Sequence, residues 1–186
     1  MVQDNILNNT LRTLKKGGLI LFATDTIWGI GCDATDPIAV KKVYDLKKRD
    51  PNKPFILIAD SLEMVKDYVE EVHPKIETLL EYHTRPLTVV YEQNKNLPKE
   101  VVAKDGSVAF RVVQSSFCKE IIKAFGKPLV ATSANISNAP FPTSLGTISS
   151  DVIEGVDYVV SDDSRLTHSP SVMVRVLGND ELEFIR

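Results

Sequence analysis

The sequence predicts an α/β domain with a mixed β-sheet covered by helices on at least one face. Three observations predict it: short apolar runs recur along the chain, segments of helical period alternate with them, and Gly, Pro or Asp-Pro pairs separate the two. Ile6, Leu7, Leu11 and Leu14 fall on one helix face that stops before Gly17-Gly18, and Leu19 to Phe22 follows as a buried strand. Asp36-Pro37 starts the next helix, with Val40, Val43, Tyr44 and Lys47 one turn apart, ending near Arg49 before Asp50-Pro51. After a strand over Phe55 to Ile58, Asp60 with Glu63 reads as a capping box opening a helix through Val69. Pro74 opens a further helix to Tyr82. Leu87 to Tyr91 and Val108 to Val113 read as strands, the second projecting Arg111 from one face. A short helix carries Ile121, Ile122 and Phe125 to Gly126, and the run Leu129 to Ala131 follows Pro128. Tyr158 to Val160, Val172 to Val176 and Leu182 to Ile185 complete the predicted strands.

A length of 186 residues, 43% hydrophobic and 25% charged, suits one domain spanning 1–186 with its own core, and argues against disorder or a fibrous chain. The net charge of -3 opposes a protein that coats nucleic acid through a global positive field, so phosphate recognition is expected to be local. No apolar leader opens the chain and no run is long enough to span a bilayer, so a cytoplasmic location without membrane attachment is expected. Cys32 and Cys118 stand too far apart in sequence for a metal or redox motif and read as buried small apolar groups. His73, His83 and His168 lack metal-site spacing, and no protein-bound metal is expected.

Three segments carry candidate chemistry. Thr24 to Gly31 packs hydroxyls, a carboxylate and two glycines after a buried strand, which suits close approach to a small polar ligand and equally suits a polar turn. Lysines on a helix are by default a solvated face. Lys47 and Arg49, however, lie at a helix end before a proline turn, where a point charge and a planar fork together suit an anion. Ser133-Ala134-Asn135-Ile136-Ser137 follows an apolar strand, a common turn composition that also falls where α/β sheets place ligands. Together the three contain no nucleophile–base pair, so catalysis would rest on positioning and charge.

Taken in order, Thr-Asp-Thr-Ile-Trp-Gly-Ile-Gly at 24–31, Lys-Lys-Arg at 47–49, Pro-Leu-Thr at 86–88, Val-Ala-Phe-Arg at 108–111, Ser-Ala-Asn-Ile-Ser at 133–137 and Pro-Thr at 142–143 resemble the YrdC-like family. The match runs from about Gly17 to the last residue. The resemblance implies a single twisted α/β domain with a broad concave basic site. It also implies an enzyme making threonylcarbamoyl-adenylate and pyrophosphate from L-threonine, bicarbonate and ATP for tRNA modification. The family's Lys, Arg, Ser and Asn set corresponds to Lys47, Arg49, Ser133 and Asn135. By the same resemblance Thr26, Arg111 and Ser171 hold threonine, with Arg111 pairing its carboxylate, and Arg49, Ser107, Ser133 and Arg186 contact ATP, whose phosphates carry Mg2+. A downstream threonylcarbamoyl-transferase complex or tRNA would be the partner.

The sequence departs from the family pattern at Ile58, where a histidine is common near the threonine pocket, and at Val172, where a serine–threonine pair leaves only Ser171. Thr84-Arg85-Pro86 replaces Pro-Gly-Pro, and Asn138 replaces a glycine. Longer members of the family carry an extra C-terminal domain that is not expected in this chain, and closure is expected from the loop at 161–170. Two alternatives compete with the synthase: a non-catalytic RNA-binding module for tRNA or double-stranded RNA, and a divergent paralogue adenylating another small acid.

Overall fold

In the computed structural model every residue is described except Met1, Ser115, 161–170, Asn179 and Arg186, together with the side chains of Val2 and Ser116. The expected closing loop at 161–170 and the ATP contact assigned to Arg186 therefore lie outside the described residues. The helices are α1 (Val2–Lys15), α2 (Pro37–Lys47), α3 (Leu62–Lys66), α4 (Pro74–Tyr82), α5 (Ser116–Phe125) and α6 (Ser150–Gly155). The strands are β1 (Ile20–Ala23), β2 (Trp28–Asp33), β3 (Ile56–Ala59), β4 (Leu87–Tyr91), β5 (Val108–Val112), β6 (Leu129–Ser133), β7 (Tyr158–Val159), β8 (Val172–Val176) and β9 (Leu182–Phe184). They form one nine-stranded mixed sheet in the order β7-β1-β2-β6-β3-β5-β4-β8-β9. The pairs β1/β7, β3/β5 and β4/β8 are parallel and the other five are antiparallel, three of them in succession from β1 to β3.

Strand alternation divides the core between the two faces. Leu21, Trp28, Ile30, Leu57, Val89 and Phe110 pack with Val40, Val43, Tyr44, Val65 and Ile76 from α2, α3 and α4. Ile20, Phe22, Ile58, Val113 and Leu129 face the other way and meet Leu14 of α1 with Phe117, Ile121 and Ile122 of α5. Each such fully buried side chain stabilises the fold by about 1.5–3 kcal/mol. On this second face, Gly29, Ala131, Ile56 and Arg111 line a hollow rather than a helix contact.

The segment 24–31, expected to be a turn throughout, is a turn only to Ile27. From Trp28 it is a fully buried strand, paired to β1 with Phe22 opposite Gly29 and to β6 with Gly29 opposite Ser133. Glycines weaken strand propensity, which hid β2, but here they give the Phe22 ring its place. A Cβ on Gly31 would stand 2.6 Å from Phe22 Cε1 and 3.0 Å from Val130 O. Gly31→Val should therefore lower stability by about 1–3 kcal/mol through overpacking, measured by thermal unfolding. An unchanged midpoint would mean that the ring moves aside without cost.

The helix after β3 also differs from its expected form. Ser61, not Asp60, is the N-cap, its hydroxyl accepting from Met64 N–H, while Asp60 Oδ1 accepts the Ser61 hydroxyl proton. With its cap one residue later, α3 ends at Lys66 rather than Val69. The α2 start is as expected, Asp36 Oδ1 accepting from Ile38 and Ala39 N–H ahead of Pro37. Cys32 and Cys118 are both buried, as small apolar groups would be.

Candidate active site

Helix α2 ends in a left-handed Lys48, φ 50°, whose geometry lets Arg49 N–H bond back to Tyr44 O at 3.0 Å. This reversal sends Lys47 and Arg49 in different directions. Lys47 continues the buried stripe of Val40, Val43 and Tyr44 and is 1% exposed, so it is not the solvated or cleft-facing cation its position suggests. Its ammonium donates to Ser133 O at 2.5 Å, Asn135 O at 2.6 Å and Asn135 Oδ1 at 3.1 Å. All three of its protons are thus spent on the end of β6 and the loop that follows it. Burial, with a smaller push from Arg49, lowers its pKa from 10.5 to about 8.

That loop is further tied by Ser133 Oγ donating to Asn135 Oδ1 at 2.5 Å, by Asn135 Nδ2 donating to Ala139 O, and by Ser137 N–H donating to Lys47 O at 2.9 Å. Asn138 takes φ 70°, a left-handed conformation that asparagine tolerates in place of glycine. Ser133 gives its proton to an amide oxygen, which is not a base, so this arrangement does not activate it as a nucleophile.

Arg49 turns outward across Phe55, its guanidinium carbon 5.0 Å from the ring centroid. Nε donates to Lys53 O at 2.9 Å and Nη2 to Pro54 O at 3.1 Å, which fixes the plane of the fork. Across the hollow, Arg111 of β5 is 5% exposed and lies 3.0 Å through Nη2 from Asp25 Oδ1. Thr26 belongs to the 24–27 turn, where Thr24 Oγ1 accepts from Thr26 and Ile27 N–H and lies 2.9 Å from Thr26 Oγ1. Ser171 Oγ lies 2.7 Å from Thr88 Oγ1, both buried, and Thr88 is the cross-strand neighbour of Arg111.

These parts converge on one cavity of about 380 Å³, where Thr26, Arg49, Arg111, Ser133 and Ser171 share the lining with Thr24, Gly29, Phe55, Met173 and the half-exposed Phe141. Lys47 and Asn135 stand behind Ser133 as its support. Ser107 is not brought to this cavity. Its hydroxyl donates to Asp105 Oδ1 at 2.7 Å and it lines a separate hollow with Arg175. Ile58 is wholly buried against α5, and Val172 packs on the opposite side of the sheet, so neither forms the cavity wall. A larger hollow of about 640 Å³ beside His83, Arg85 and Gln114 takes in none of the candidate residues. The chemistry, rather than volume, selects the smaller one. Met173 was missed from the sequence, although alternation from Ser171 would have put it on this face, whereas Thr88 of the Pro-Leu-Thr motif is brought beside Arg111 only by the register of β4 against β5.

Such a site can grip two anionic groups, one at each arginine, with hydroxyls between them. Among the described residues no cluster of three or more His, Cys, Asp or Glu is placed to hold a metal ion, and no helix is long and apolar enough to cross a membrane.

The family model Sua5/YciO/YrdC, described as telomere recombination, matches residues 12–186. The threonylcarbamoyl-AMP synthase of Vibrio parahaemolyticus is 35% identical over 140 residues, 74% of this chain and 75% of the relative. Among solved structures, P. abyssi Sua5 complexed with L-threonine superposes with TM-score 0.90 at 25% identity, covering 99% of this chain and 54% of that one, so the chain spans about half of that Sua5. E. coli YciO, at 20% identity and TM-score 0.84 over 99% of this chain and 89% of that one, shares the fold.

Proposed function

Because the chain belongs to the Sua5/YciO/YrdC family, we propose that it is an L-threonylcarbamoyladenylate synthase, a nucleotidyltransferase acting on L-threonine, bicarbonate and ATP. The observation that carries this reading is the placement of Arg49 and Arg111 in the lining of one cavity, with Thr26, Ser133 and Ser171 in the same wall. Two anchored guanidiniums with hydroxyls between them suit a triphosphate and an amino-acid carboxylate held together.

In the proposed reaction, bicarbonate is protonated and loses water, and the resulting carbon dioxide is attacked by the free amine of threonine. An N–C bond forms and the amine proton leaves, giving an N-carboxylate. A carboxylate oxygen then bonds to the α-phosphorus of ATP as the bond to the bridging oxygen breaks, releasing pyrophosphate. Arg111 takes the threonine carboxylate and Arg49 the phosphate oxygens that gain charge, while Mg2+ enters on the nucleotide's phosphates. Lys47 and Asn135 act through Ser133, holding it at the cavity wall. The adenylate, a mixed anhydride, would pass to a downstream threonylcarbamoyl-transferase complex for tRNA modification.

The deciding test is mass spectrometry of the protein incubated with ATP, Mg2+, L-threonine and labelled bicarbonate. Threonylcarbamoyl-adenylate and pyrophosphate should appear only when all substrates are present. Nucleotide binding without either product points instead to another acid as acceptor, and tRNA binding without nucleotide binding to an RNA module.

A further inference from the structure

Arg111 is a buried cation whose donors are only partly used. Nη2 meets Asp25 at 3.0 Å, with the side chains 6% and 7% exposed, but Nε has no hydrogen-bond partner among the described residues. A buried donor left unpaired is costly, and here it belongs to a side chain that lines an open cavity. A buried ion pair is also a poor device for stability, since apolar side chains of similar volume often serve as well or better. The pair therefore asks for a functional reason.

The turn that carries Asp25 supplies one. Thr24 Oγ1 closes the 24–27 turn by accepting from Thr26 and Ile27 N–H and donating to Ile27 O at 2.8 Å. In this closed turn Thr26 lines the cavity, whereas Asp25, its neighbour, does not line it and reaches Arg111. We infer that Asp25 is a positioning residue that holds the Arg111 guanidinium in place while the cavity is empty, so that the part of Arg111 that lines the cavity is already set to meet the carboxylate of the amino-acid substrate. An unbraced arginine would lose its rotamer freedom only on binding, and the brace removes that cost beforehand. Asp25 itself does not touch the substrate. This inference rests on the reading of Arg111 as the carboxylate site.

A double-variant cycle read by calorimetric titration with L-threonine, and separately with MgATP, tests both. Asp25→Asn, which keeps the shape and an acceptor oxygen but removes the charge, should weaken L-threonine binding about tenfold and leave MgATP affinity within about twofold. In an Arg111→Gln background the same change should have no further effect on L-threonine, because the effect of Asp25 on the substrate passes through Arg111. Asp25→Glu, which keeps the charge but moves it by one methylene, should also weaken L-threonine selectively, and it serves if the asparagine variant fails to fold. Parallel loss of both ligands, or an equal effect of Asp25→Asn in both backgrounds, would overturn the positioning role. Undiminished L-threonine binding by Arg111→Gln alone would instead overturn the reading of Arg111.

Discussion

Lys47→Met should abolish most product formation, by on the order of 100-fold, and lower stability by about 2–4 kcal/mol. The substitution fills the same buried slot but removes the ammonium that donates to Ser133 O, Asn135 O and Asn135 Oδ1. Two opposing effects decide the magnitude. Loss of three hydrogen bonds from a charged donor, each contributing about 1.5–3 kcal/mol, outweighs relief from burying the ammonium, about 3 kcal/mol for a shift from 10.5 to about 8. Lys47→Arg should not restore activity, because a guanidinium is wider than the slot and its fork does not converge on three oxygens.

The pH dependence of stability provides an independent reading. Lys47 in the folded chain is less basic than in the unfolded chain, so the unfolded state binds more protons between about pH 8 and 10.5. Its burial penalty is complete below about 8 and is relieved as pH rises. The stability difference between wild type and Lys47→Met should therefore grow in favour of wild type by about 1 kcal/mol from pH 7 to pH 9. Equal pH slopes in the two proteins, measured by urea unfolding, would show that the ammonium is not held in a penalising site.

Arg49→Ala should lower the rate of adenylate formation by about 100- to 1,000-fold, the scale for losing one preorganised donor to a developing charge. Stability should change by less than about 1 kcal/mol, since the guanidinium is only half-buried and its two internal bonds go to loop carbonyls. Lysine is a poor substitute here. Arg49 is held as a plane by Lys53 O, Pro54 O and the Phe55 ring, and a flexible ammonium has neither the fork nor the stacking surface. Arg49→Lys should recover no more than about tenfold. Full rescue by lysine would mean that charge alone matters, and a normal rate in Arg49→Ala would remove Arg49 from the reaction.

Most strands and helices were legible in the sequence because each carries its own period, and Asp36-Pro37 and Gly126 mark boundaries that local chemistry imposes. The stripe Val40, Val43, Tyr44 and Lys47 already pointed to a buried Lys47, but a lysine's default is solvent, and it is the oxygens of 133–135 that make burial tolerable. Ser61's displacement of Asp60 as N-cap was hidden because both side chains can cap a helix, and here Asp60 accepts the Ser61 hydroxyl proton instead. Strand β2 was hidden because its glycines are favourable only with Phe22 lying across them.

The α/β alternation, the family motifs and the residue types available to the site depend on neighbours within a few positions and can be read along the chain. Which of them meet depends on contacts between distant segments. Residues 26, 49, 111, 133 and 171 reach one cavity because β2, β3, β5, β6 and β8 are ordered by pairings between distant segments. The same long-range register sent Ser107 elsewhere and set Asp25 behind Arg111, since hydrogen-bond partners across a sheet are chosen by the whole fold and not by adjacent sequence.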